Sequence, residues 1–191
     1  MDMRTALVSL ALVGGSAWAA EPIGIHDSAV DEAPRNYGNL RVGASTSSRR
    51  PSLCLELSPL EMISLEGCGT GSGFLHHDPE PEIAHFRSWV KLTSWKTGLG
   101  WLQPRLGVGF AELQVGEDGG GFHFSGVGST GMETAGPEMG ASLRLLLPTL
   151  GGVEFVSELA VSAAYFHHAP LLTVPQSSFQ PSASLSLGVG F

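Results

Sequence analysis

Two cysteines, seven histidines and a matched set of arginines and glutamates are the residues of this chain with chemistry to offer. Cys54 and Cys68 are the only thiols, without a CxxC spacing and without a histidine in step with them. That argues against a catalytic thiol or a metal pair, and an even cysteine count in an oxidising compartment favours a disulfide. A hairpin centred on Glu61 would set Cys54 directly across from Cys68. The tighter turn Ser58-Pro59-Leu60-Glu61 would set Cys54 near Leu65, about 10 Å out of register at ~3.3 Å per residue. The spacing leaves both turns open; a Cys54–Cys68 bridge is the expectation.

Histidines come in two adjacent pairs, His76–His77 and His167–His168, with Asp78, Glu80 and Glu82 beside the first. Imidazoles with carboxylates suit Zn²⁺, Cu²⁺ or Ni²⁺, which makes these four histidines candidate metal ligands. The bland alternative is that loops collect polar residues. The glycine-rich segment 115–136 contains Glu117 and Asp118 but lacks the ligand spacing of a calcium loop and the Lys-Ser/Thr of a phosphate loop, so it reads as surface loop. No cofactor is expected.

These residues need elements to place them. Residues 1–20 carry Arg4, the apolar run 6–13 and small residues around Ala17-Trp18-Ala19, the layout of a cleaved secretory signal peptide. Residues 21–38 are acidic, contain proline and show no sustained period, and read as a flexible leader. From 39 onward, apolar and polar residues alternate in eight stretches: 39–47, 51–57, 63–70, 82–95, 101–114, 138–147, 153–166 and 179–191. Ala84, Phe86, Ser88, Val90 and Leu92 oppose His85, Arg87, Trp89, Lys91 and Thr93, a two-residue period that a helix cannot use. Charged residues are only 15 % and glycines number 26, a composition for strands and turns. Connections alternate between short ones (58–64, 94–100, 148–152) and long ones (71–81, 115–137, 167–178), with 47–51 as a short exception. Net charge is −8 and no basic stripe exists, so nucleic acid is excluded as a partner. No segment reaches the ~18 apolar residues of a spanning helix.

The polar phase of the strands decides which way each ribbon faces. It carries Arg41, Arg87, Lys91, Arg105 and Arg144 against Glu56, Glu66, Glu138, Glu154 and Glu158, with Gly, Ser, Ala and Thr between them. A water-facing phase would be dense in Lys and Glu. Small residues with balanced charges fit the interior of a narrow eight-stranded barrel, where ions need partners. The apolar phase, bearing only Glu112 near a strand end, would then face lipid. The fold expected is all-β, an eight-stranded antiparallel up-and-down transmembrane β-barrel spanning 39–191. A soluble lipocalin-like barrel is the alternative.

The last strand, Ser182-Ala-Ser-Leu-Ser-Leu-Gly-Val-Gly-Phe191, alternates strictly and ends on an aromatic residue. It resembles the carboxy-terminal signature of bacterial outer-membrane β-barrel proteins, and the whole plan looks like the small OmpA/OmpX-like class. The resemblance implies a cell outer-membrane location, outer-membrane lipid as surroundings, and the barrel assembly machinery as a partner reading Phe191. It implies a structural or surface-interaction protein acting through its extracellular loops on an unknown partner; the alternative is a small-solute or metal-handling surface protein. Some barrels of this kind modify lipid A with Ser and His on the outer wall. Here Ser88 and Glu112 fall in the outward phase while His85 points inward, and no histidine joins them, so no enzyme activity is expected.

Overall fold

The computed structural model describes residues 35–71, 80–116, 122–149 and 152–191. The expected signal peptide, most of the 21–38 leader, and His76 and His77 lie outside the described residues. The strands are β1 (Gly38–Ser45), β2 (Ser48–Leu57), β3 (Ile63–Gly69), β4 (Glu82–Lys91), β5 (Trp95–Lys96), β6 (Trp101–Gln114), β7 (Glu133–Pro148), β8 (Glu154–Tyr165) and β9 (Phe179–Gly190). Each long strand pairs antiparallel with the next, β4 pairs β6 across the two-residue β5, and β1 pairs β9 to close the ring. The architecture is the expected eight-stranded antiparallel barrel.

Closure runs through the chain ends: Tyr37 N–H donates to Phe191 O at 2.7 Å, and Phe191 N–H donates to Gly38 O at 3.0 Å. This end of the barrel, the near end, also carries the connections 58–62, 92–100 and 149–153. From the far end leave the connections β1–β2, β3–β4, β6–β7 and β8–β9.

Period-two alternation holds around the ring. Cys54, Glu56, Glu66, Arg87, Trp89, Arg105, Arg144 and Glu158 are buried inside, while Leu55, Leu65, Val90, Leu106, Leu159 and Leu187 are exposed on the outer wall. The β2–β3 register sets Cys54 against Cys68 and Leu57 against Leu65, so the hairpin is the wider one, and a disulfide joins the two cysteines. Trp89, fully buried, needs a facing position without a side chain. Gly107 is its cross-strand partner, and a Cβ there would collide with the indole.

Strand limits depart from the sequence reading in two places that matter. The fourth strand ends at Lys91 rather than residue 95, because residues 95–96 turn back to pair with β6. The strand expected at 138–147 begins at Glu133. Gly136 and Pro137 hide that extension: β7 pairs with β6 from Glu133, whereas its ladder with β8 starts only at Glu138, just past the proline that has no N–H to give. Both strand phases therefore run on to the far end. There Ile83, Ala111, Leu113, Val115, Ala164 and Phe166 form an apolar cluster completed by Ala169 and Leu172 of the 166–178 connection. The far part of the interior is thus apolar, not a continuation of small and charged residues.

Candidate functional site

Midway along the barrel, three arginines converge on three glutamates. Arg41 donates through Nη1 to Glu158 at 2.6 Å and through Nη2 to Glu56 at 3.0 Å, and also pairs with Glu66. Arg105 donates to Glu56 at 2.9 Å and pairs with Glu158. Arg144 donates to Glu56 at 2.8 Å and to Glu158 at 3.0 Å through Nε. Arg87 extends the cluster by bonding Glu66 at 3.0 Å and approaching Glu138 at 3.7 Å. Remaining donors are satisfied as well: Arg41 Nε by Asn39, Arg105 Nε by Ser142, and the Trp89 indole N–H by Glu66 at 3.0 Å. Arg87 and Arg105 also lie over the Trp89 ring, at 5.1 and 4.8 Å from its centroid. Buried charges persist only when paired and hydrogen-bonded, and four guanidiniums facing four carboxylates satisfy that condition.

Two of the ten residues expected in this network stand apart from it. Lys91 lies at the near end and reaches out to Glu61 in the 58–62 turn, at 3.5 Å. Glu154 accepts from the Asn36 side chain at 2.9 Å instead of an arginine. Both sit one or more turns of the alternation too close to the rim for the guanidiniums to reach.

Among the described residues, two groups bring metal-ligating atoms together. Carboxylate oxygens of Glu56, Glu66 and Glu158 come within 4.8 Å of one another, but guanidiniums already neutralise them. Cys54 and Cys68 approach Glu66 too, with both sulfurs tied up in the disulfide. His167 and His168 touch edge to face, centroids 4.8 Å apart. No cluster of metal-ligating groups among the described residues includes either of them.

Histidine chemistry appears elsewhere, at two places. Inside, His85 Nδ1 meets Glu138 at 2.8 Å. Outside, residues 122–132 fold down on the outer wall. Ala135 N–H donates to His123 O at 2.9 Å, Gly128 N–H donates to Glu133 O at 2.9 Å, and Thr134 Oγ donates to Gly126 O at 2.9 Å. These bonds set His123 Nε2 2.8 Å from Glu133 Oε1. Glu133 belongs to the outward phase of β7, yet only 2 % of it is exposed. Gly128 closes over it so tightly that a Cβ would strike the carboxylate. Glu112, also outward-facing and buried, is one cross-strand diagonal away, opposite Ala135 where Glu133 is opposite Gln114.

A comparison with protein-family models found no match, and a comparison with curated proteins found none. A carboxylate on Nε2 holds that nitrogen protonated, leaving Nδ1 as the lone pair that accepts a proton. His123 remains part-exposed while its carboxylate is buried, the relation of a general base to its orienting acid. Ser125, two residues along the same segment, is exposed.

No outward histidine is visible in the alternation, because residues 115–137 carry no sustained two-residue period. Counting back from Met139 through Pro137 and Ala135 puts Glu133 in the outward phase at once. His123 has no such signal, since its place depends on loop-to-strand hydrogen bonds between residues that no period relates.

Proposed function

We propose that the chain is an outer-membrane barrel whose outer wall carries a hydrolytic site for acyl esters of an outer-leaflet glycolipid, of the lipid A type. The observation that carries this reading is the His123–Glu133 pair, placed outside the barrel near its far end.

The wall around that pair favours lipid. Leu40, Val42, Leu53, Leu55, Leu106, Val108, Val161, Leu185 and Leu187 are each about half exposed and form a continuous aliphatic band. Soluble monomers rarely leave apolar patches beyond a few hundred Å² uncovered. Exposed aromatics flank the band: Tyr37, Trp95 and Phe191 at the near end, and Phe122, Phe124, Tyr165 and Phe179 at the far end, as interfacial girdles require. The near end is then periplasmic, and the final strand with Phe191 is the part the assembly machinery would read. Because arginines, glutamates and the apolar far-end cluster fill the interior, solute passage is not its task. This wall argues against the soluble lipocalin-like alternative.

In the proposed reaction Ser125 Oγ attacks the ester carbonyl carbon while His123 Nδ1 takes the hydroxyl proton. The bond from carbonyl carbon to the sugar oxygen breaks, and that oxygen leaves with the proton from His123. Water then adds to the acyl-serine, giving a proton to His123. The acyl–Oγ bond breaks, Ser125 recovers the proton, and a fatty acid departs. Glu133 stabilises the imidazolium formed at each step.

Mass spectrometry of lipid A from cells overproducing the protein tests the reading. Loss of one ester-linked acyl chain is expected with the natural sequence, and none with Ser125→Ala, His123→Ala or Glu133→Gln at equal barrel content. Unchanged lipid A in all four strains would return the protein to the structural or surface-interaction role.

A further inference from the structure

His123 sits between two phenylalanines, and both lie on rings of the barrel wall. Phe86 and Phe110 are cross-strand partners on β4 and β6 and stack with centroids 5.2 Å apart. Phe122 meets them edge-on at 5.0 and 5.1 Å, and Phe124 meets Phe110 at 5.4 Å. Rings that served only to anchor the loop would be buried by it. Instead Phe122 stays 44 % and Phe124 52 % exposed. Below this quartet along the wall the next cross-strand pair is Val108 with Met139, 65 % and 67 % exposed.

We infer that the four rings are the seat of the acyl chain whose ester the His123 site cleaves, with the chain continuing over Val108 and Met139. This inference rests on the hydrolytic reading and deepens it by naming what the site selects: a long acyl group. The physical reason is adjacency. A carbonyl held against His123 lies beside a segment whose neighbouring residues, Phe122 and Phe124, both set their rings against Phe110. Its hydrocarbon tail finds the stacked Phe86 and Phe110 faces next. The quartet is in contact with itself, so it presents a preformed surface and the chain alone must be ordered on binding. Ring surface that stays exposed to bulk lipid gains little from a generic chain, whereas a chain tethered to a bound ester remains in register with the rings.

Purified full-length protein in detergent micelles, assayed on p-nitrophenyl acetate and p-nitrophenyl dodecanoate, tests it. The natural sequence should prefer dodecanoate. Phe124→Ala and Phe86→Ala should each lower the ratio of kcat/KM on dodecanoate to that on acetate about tenfold, mainly through the dodecanoate KM. Phe124→Leu should recover most of the loss. Phe86 belongs to β4 and meets the loop through the Phe122 ring, so the comparison of the two esters separates chain contact from loop placement; heat-modifiable migration checks that each variant is folded. A natural protein active on both esters, with a dodecanoate-to-acetate ratio unmoved by these variants, overturns the platform alone. Equal loss on both esters also overturns it, by showing that the rings merely hold the loop. A natural protein inert toward both esters overturns the hydrolytic site and the platform together.

Discussion

Arg144→Met is the most informative single change to the barrel interior. Arg144 is 3 % exposed and touches both Glu56 and Glu158, so its removal leaves Arg41, Arg87 and Arg105 facing Glu56, Glu66, Glu138 and Glu158. Methionine fills most of the volume, which makes the loss chiefly electrostatic. Breaking a buried pair by deleting one partner costs about 3–5 kcal/mol, since the other charge stays desolvated. Glu158→Gln should cost a similar amount, and the double variant should fall short of the sum by about 1–3 kcal/mol because the two side chains share one network. Urea titration of the protein refolded into vesicles measures this. Trp89, fully buried and under the Arg87 and Arg105 guanidiniums, supplies the fluorescence signal. A loss below about 1 kcal/mol for Arg144→Met, the worth of a solvated surface pair, would refute the description of the interior as a dry, paired network.

Three further changes probe other parts of the wall. Leu187→Lys, in the middle of the aliphatic band, should destabilise the vesicle-inserted barrel by about 2–4 kcal/mol, whereas Leu99→Lys in a near-end turn should leave the urea midpoint unmoved. Gly107→Val should drive a side chain into Trp89 and cost about 1–3 kcal/mol, seen as a shifted tryptophan emission and a lower midpoint. Replacing Cys54 and Cys68 together with serine opens a crosslink of sequence separation 14, and should cost about 2–4 kcal/mol against the oxidised protein, with reductant then having no further effect.

The alternation of side chains made the barrel legible. A two-residue period assigns every residue of a strand to one face, so Arg41, Arg105, Glu56 and Glu158 could be placed inside without knowing the register. What the period cannot supply is depth along the barrel. Lys91 and Glu154 share the inward phase of the network residues but sit at the rim, where a turn carboxylate and an asparagine satisfy them. The Cys54–Cys68 pairing needed the turn geometry, which two readings of 58–62 left open. His123 was beyond reach because a docked loop is held by contacts between residues far apart in sequence, and because Gly136 and Pro137 concealed the strand segment that receives it. The apolar far-end cluster was missed for a related reason: Leu113 and Val115 belong to the inward phase, and Ala169 and Leu172 arrive from a connection with no period at all.

Glu138 and Met139 are consecutive residues, yet a barrel wall lies between their side chains: Glu138 meets His85 inside, while Met139 is 67 % exposed outside. Adjacent codons thus answer to different physical demands: from Pro137 to Leu145 the odd-numbered positions of this strand face out of the barrel, while the even-numbered ones pack its interior. Exchanges among apolar residues at the outward positions leave the interior ion pairs untouched, whereas one inward change, as at Arg144, reaches two carboxylates at once.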